Sequence, residues 1–128
     1  MLQTLILIRG IPGSGKTTLA KSLCKLLNFC HYEADQYFIS ERGEYVFEPR
    51  YLEHAHRHCY LNTKEALEAG YSVIVSNTFT RKWEMEHYKK LAASLGVQVS
   101  IIICNNEFQN THGVPAAKVQ QMKERFEI

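Results

Sequence analysis

Short, wholly apolar runs alternate with longer segments in which apolar residues recur every three or four positions. Residues 5–8 (Leu-Ile-Leu-Ile) stop at Arg9 and Gly10, the pattern of a strand buried on both faces. From Lys16, Leu19, Leu23, Leu26 and Leu27 recur at helical spacing, with Ala20 and Cys24 beside them and Asn28 as a stop. Residues 29–34 read as a second strand, with Asp35 just past its end. Residues 36–48 hold neither period and read as an irregular loop with one helical turn. Pro49 opens a long helix with a stripe of Leu52, Ala55, Cys59, Thr63, Ala66 and Leu67, and Gly70 ends it. Residues 71–76 form a third strand centred on Val73-Ile74-Val75. Thr80 is expected to cap a helix carrying Trp83, Tyr88, Leu91, Ala92 and Leu95, closed by Gly96. Residues 97–103 read as a fourth strand and 105–114 as a polar loop. Pro115 opens a last helix through Val119, Met122 and Phe126.

This alternation predicts an α/β fold: a three-layer sandwich with a short, mainly parallel sheet of about four strands and helices on both faces. The 128 residues suit one domain spanning 1–128. A content of 45% hydrophobic and 22% charged residues is that of a globular chain. No apolar run reaches the ~20 residues of a membrane span, and the first run is too short for a signal-peptide core. The expected location is therefore cytoplasmic, without membrane contact, and nothing in the chain points to a protein partner. A net charge of +2 argues neither for nor against nucleic acid. Cys24, Cys30, Cys59 and Cys104 form no C-x-x-C pair and are expected to be reduced. Twelve of the thirteen acidic residues are Glu, and the only Asp is Asp35. Any role that needs a short, stiff carboxylate falls on that residue.

Candidate chemistry begins between the first strand and the first helix. Gly10-Ile11-Pro12-Gly13-Ser14-Gly15-Lys16-Thr17 matches G-x-x-x-x-G-K-[ST] at every fixed position, in the strand-to-helix context that the motif requires. Glycines let the backbone curl so that several N–H groups point at one anion, and the helix start adds partial positive charge there. Gly10, Pro12, Gly13, Ser14, Gly15, Lys16, Thr17 and Thr18 are the expected ATP-binding residues. Lys16 would bridge the β- and γ-phosphates, and the Thr17 hydroxyl would ligate Mg²⁺. A Walker-B strand would end in a carboxylate, whereas strand three ends in Ser76. The first carboxylates after the helix are Glu33 and then Asp35. Ligands of parallel sheets sit beyond the carboxyl ends of the strands, so Asp35 is placed to accept the proton of an acceptor hydroxyl.

His54, His56, His58 and Cys59 look like a metal cluster, but on a helix His56 lies opposite the other two histidines. Trp83 falls on an apolar stripe and is expected in the core. Tyr37 and Phe38 could stack on a base or close the core. Tyr37, Arg42, His56 and Asn77 are the candidate acceptor-side residues, and Arg42, Arg50, Arg57 and Lys82 the candidate contacts to a polynucleotide backbone.

Several of these segments resemble a known family. Gly10 to Thr17, Ala34-Asp35-Gln36-Tyr37-Phe38, Ala55-His56-x-x-Cys59, Val73-Ile74-Val75-Ser76-Asn77-Thr78, Trp83-Glu84-Met85 and His112-Gly113-Val114-Pro115 occur in order. They are similar to the polynucleotide-kinase-like P-loop domains of a ubiquitin-ligase-binding protein family and of small bacterial and phage ATP-binding proteins. A more distant likeness is to the 5′-kinase domain of bacteriophage polynucleotide kinase. The resemblance implies an ATP- and Mg²⁺-dependent kinase acting on the 5′-hydroxyl of a nucleic acid. In that picture Asp35 is the general base, residues 105–126 form a lid over ATP, and Arg125 stabilises the transferring phosphate. The family pattern after strand three reads Asp-Asn-Thr-Asn-Thr, and this chain reads Ser76-Asn77-Thr78-Phe79-Thr80. The missing Asp implies a slow kinase with a weak metal requirement, which a carboxylate restored at 76 would strengthen. A small-molecule kinase, on a sugar or a nucleoside, and a nucleotide-binding module with little turnover remain open readings of the sequence.

Overall fold

The computed structural model describes residues 2–105 and 114–128. Its sheet consists of β1 (Thr4–Arg9), β2 (Cys30–Tyr32), β3 (Val73–Asn77) and β4 (Gln98–Ile103). Their order is β2-β3-β1-β4, and every pairing is parallel. The first two helices are α1 (Lys16–Leu27) and α2 (Leu52–Glu68), with α3 (Glu86–Leu95) and α4 (Ala116–Arg125) after them. The predicted α/β architecture is the observed one.

Side chains alternate across a strand, and the two faces bury different partners. Leu5, Leu7, Val73 and Val75 pack with Cys59, Ala66 and Leu67 of α2 and with Tyr88, Leu91 and Ala92 of α3. Ile6, Ile8 and Ile74 pack with Ala20, Leu19, Leu23 and Leu27 of α1. The alternation extends past the strand ends. One register step beyond Tyr32↔Val75 sets Glu33 beside Ser76, on the α1 face. The next step sets Ala34 beside Asn77, on the α2 face.

Some sequence expectations change. The second strand is three residues long, not six, so Glu33 lies just past its end and Asp35 falls in a 3₁₀ turn, Ala34–Phe38. Thr80 does not cap a helix. Arg81 precedes a 3₁₀ turn, Lys82–Met85, which leads into α3. That tighter turn directs Met85 inward, at 2% exposure, and leaves Trp83 71% exposed rather than in the core. Leu26 continues the helical pattern of α1 but points to solvent, at 81% exposure. The four cysteines are free thiols; Cys59 and Cys104 are buried, and Cys24 and Cys30 half-buried.

Arg9, which merely ends an apolar run in the sequence, is the largest side chain that is fully buried. Its Nε and Nη2 donate to the Phe79 carbonyl at 3.0 and 2.7 Å, and Nη2 also reaches the Glu127 carbonyl. Phe126 lies against the guanidinium, 4.4 Å from Cζ to the ring centroid. Phe79 itself has φ +43°, unusual for a residue with a side chain. One cation thus ties the end of β1 to the segment after β3 and to the residues after α4. Arg9→Met should lower unfolding free energy by about 2–4 kcal/mol, because buried carbonyls lose a charged donor. Urea denaturation of the variant and the parent measures it.

Candidate functional site

The loop between β1 and α1 is shaped by positions that only glycine fills easily. Gly13 and Gly15 have φ of +84° and +89°, the left-handed region that side chains disfavour. A Cβ on Gly10 would fall 2.4 Å from Ser14 Oγ and 2.6 Å from the Cys104 carbonyl. Gly15 starts α1, and no side chain caps that start. The first-turn amides therefore face outward in the arrangement that holds an anion. Among the described residues, Ser14 Oγ is the one buried side-chain polar atom without a hydrogen-bond partner. Lys16 is 8% exposed. Burial pushes its ammonium pKa down, while the negative charges of Asp35 and Glu33 push it back up. A curled glycine backbone, an uncapped helix start and a buried lysine fit a chain of phosphates. Pro12 and the exposed Thr18 flank this cradle.

Beside the loop stands a carboxylate to which the sequence alone assigns no role. Glu33 Oε2 accepts the Thr17 hydroxyl at 3.0 Å and the Ser76 hydroxyl at 2.8 Å. His31 Nε2 lies 2.7 Å from Ser76 Oγ and 3.6 Å from Glu33 Oε2. Burial alone would raise the pKa of Glu33. The contacts with His31, Ser76 and Thr17 outweigh it and hold the carboxyl below the ordinary range. The only signal in the sequence is that Glu33 is the first carboxylate after the phosphate-loop helix and stands two residues before the single Asp.

Asp35 sits in the 3₁₀ turn and accepts the Tyr45 hydroxyl at 2.9 Å. Burial, reinforced by the charge of Asp35, raises the pKa of Tyr45, so the phenol stays a donor. Nothing in the sequence links these residues; a bridge between Ile39 and Tyr45 closes the intervening loop. Asn77 supports the turn from beneath. Its Oδ1 accepts the Ala34 N–H at 2.8 Å, and its Nδ2 donates to Cys59 Sγ at 3.7 Å. The candidate acceptor-side residue Asn77 is thereby engaged with the scaffold under Asp35.

Around Asp35 lies a group of rings. Tyr45 stacks on Phe47 at an interplanar angle of 11°, and Phe38 meets Phe47 edge-on at 5.0 Å. Tyr37 packs edge-on against His58 of α2 at 5.5 Å. Tyr37 is 40% and Phe47 45% exposed. Of the two roles open for Tyr37 and Phe38, Phe38 enters the core and Tyr37 does not. Arg42 is exposed in the 40–44 turn. His56 is exposed on α2; partial desolvation of the imidazole lowers its pKa, while the charges of Glu84 and Asp35 act against that. Cys59 is buried between Asn77 and Tyr88, away from the exposed His54 and His58.

Arg125, in the last turn of α4, is exposed, and its Nε donates to Thr80 Oγ1 at 3.2 Å. The expected lid, 105–126, lies partly outside the described residues. A cavity of about 350 Å³ adjoins the loop, lined by Ile11, Cys104, Asn105, Lys123 and Phe126 among others.

The profile of the AAA domain family matches residues 5–128. Human (Homo sapiens) NEDD4-binding protein 2 is 32% identical over 134 residues, which cover 96% of this chain and 8% of that protein. The chain thus spans under a tenth of that relative's length. The uncharacterised protein PM0531 of Pasteurella multocida (strain Pm70) is 31% identical over 137 residues, covering 94% of this chain and 75% of that one. The solved structure of the Mycobacterium tuberculosis APS kinase CysC, as a Cys556Ala mutant, shares the fold with a TM-score of 0.62 at 15% identity. That match covers 99% of each chain.

Asn77→Ala frees the Ala34 N–H and should cost about 1–3 kcal/mol of stability, the desolvation penalty of a buried unpaired donor. Urea denaturation monitored by circular dichroism tests this.

Proposed function

The chain belongs to the AAA domain family, as a P-loop kinase-like domain, and from that premise we propose that it transfers the γ-phosphate of ATP to the 5′-hydroxyl of a polynucleotide. The observation that carries the acceptor side is the grouping of Asp35 with half-exposed rings. Tyr37 and Phe47 offer faces on which bases can stack, which is how single strands are held without sequence readout. Arg42, Arg50 and Arg57 are exposed on the same stretch of chain and supply charge for a phosphate backbone. Asp35 is a short carboxylate beside this platform and electrostatically coupled to Lys16.

The proposed roles follow the family resemblance and are compatible with these positions. The loop amides and Lys16 hold the β- and γ-phosphates of ATP. The cavity beside Ile11 takes the base. Asp35 accepts the proton of the incoming hydroxyl as its oxygen bonds to the γ-phosphorus. The bond from that phosphorus to the β–γ bridging oxygen breaks, and ADP leaves with its electron pair. Thr17 would hold Mg²⁺, which supplies charge neutralisation across the phosphates. Arg125 adds positive charge where negative charge grows on the transferring group. Tyr45 donates to the Asp35 carboxylate and fixes its orientation.

Asp35→Asn should retain ATP binding and lose transfer by roughly 10²–10⁴-fold. A labelled-ATP assay with a 5′-hydroxyl oligonucleotide, run alongside calorimetric ATP titration, measures both. Near-parental transfer would remove Asp35 from the mechanism.

The KM for a single-stranded acceptor should rise with salt, by about 0.7 in the log–log slope per phosphate contact, while the KM for ATP changes less. An oligonucleotide that is not phosphorylated, alongside a sugar or nucleoside that is, would replace this acceptor by a small molecule.

A further inference from the structure

We infer that Glu33 is the carboxylate of the magnesium site, supplied from the end of β2, and that it orients both the Thr17 hydroxyl and the hydration shell of the metal. The inference rests on the nucleotide reading above and deepens it.

The first ground is position. P-loop proteins hold the metal with the loop's Ser or Thr and a carboxylate at the end of a neighbouring strand. Here β1 lies between β3, which ends in Ser76-Asn77, and β4, which ends at Ile103 before Cys104-Asn105, and neither end carries a carboxylate. The next strand, β2, stops at Tyr32, and the first residue beyond its pairing is Glu33. Register places Glu33 beside Ser76 on the α1 face, and its longer side chain spans the remaining gap. Oε2 reaches the Ser76 hydroxyl at 2.8 Å and the Thr17 hydroxyl at 3.0 Å.

The second ground is the direction of the protons. A hydroxyl ligates a cation through its lone pairs, so its proton must point to an acceptor elsewhere. Glu33 is that acceptor for Thr17. Ser76 donates to the same oxygen, which anchors the carboxylate from the side away from the loop. A carboxylate accepts about four hydrogen bonds, so these two leave capacity for metal-bound waters. The Glu33 side chain is 10% exposed, so water reaches it. Mg²⁺ keeps several waters, and groups that orient such ligands change metal affinity by roughly 10–100-fold.

Asp35 does not fill this place. Its carboxylate is turned to Tyr45, on the acceptor side of the turn. Ser76 is then part of the metal-site scaffold instead of a gap in it, and the weak metal requirement implied by the missing Asp is replaced by an ordinary one. Ser76→Asp alone would set two carboxylates in contact.

The test is calorimetric titration of ADP in EDTA and in Mg²⁺, with folding monitored by circular dichroism. In Glu33→Gln, affinity for ADP in EDTA should stay within about twofold of the parent, while the tightening by Mg²⁺ falls by roughly tenfold or more. The exchange Glu33→Ser with Ser76→Asp, which moves the carboxylate to β3, should restore the tightening. Two results overturn the inference: full Mg²⁺ tightening in Glu33→Gln, or an exchange variant without restored tightening. If Glu33→Gln does not fold, the exchange variant decides. Folded with parental Mg²⁺ dependence, it supports the metal role. Unfolded or insensitive to Mg²⁺, it reduces Glu33 to a structural residue. A parent protein that binds ADP neither in EDTA nor in Mg²⁺ removes the nucleotide reading itself, a distinct failure.

Discussion

A carboxylate taken out of water must be met by donors, and at the carboxyl edge of this sheet that requirement organises the surroundings of Glu33. Two hydroxyls donate to it, Thr17 from the first turn of α1 and Ser76 from β3, and His31 from β2 stands behind Ser76, 2.7 Å from that hydroxyl. Hydrogen bonds to charged groups contribute about 1.5–3 kcal/mol each, and leaving a buried charge unpaired costs more. The start of α1, the central strand β3 and the end of the edge strand β2 therefore meet at a single oxygen. The same arrangement brings negative charge close to Lys16 before any phosphate is present.

A second buried charge does comparable service on the other side of β1. Arg9 collects carbonyls from the segment after β3 and from the residues after α4, with Phe126 covering its flat face. It fixes the path from β3 toward Thr80, the residue that Arg125 contacts. The α4 helix buries none of its own residues; Arg125 in its last turn is held by Thr80, and Phe126 and Glu127, just past its end, are held by Arg9.

The turn that carries Asp35 is held by donors and acceptors without charge of their own. Asn77 fixes the backbone of the turn that carries Asp35, and Tyr45 fixes its carboxylate. Glu33 and Asp35, two residues apart, thus face different chemistry. The strand period sends one toward α1 and the phosphate loop, and the turn sends the other toward the rings of 37–47.

What the sequence determined by itself was whatever local periodicity and a fixed motif encode. The strand–helix alternation specifies the parallel sheet, because apolar runs of four or five residues can be buried only between helices. The glycine loop specifies the anion cradle, because its conformation needs residues without Cβ at set positions. Gly96 and Asn28 stop their helices in the left-handed region, as their residue types suggest. Tertiary structure decided the rest. Trp83 and Leu26 lie outside because burial depends on which face meets the sheet, and a 3₁₀ turn shifts that face by a residue. Arg9 is buried because carbonyls distant in sequence converge on it. Tyr45 meets Asp35 through a loop without periodicity. Glu33 meets Ser76, 43 residues later in the chain, because parallel register aligns the ends of strands joined by a long crossover. No pattern within either segment could have shown that contact.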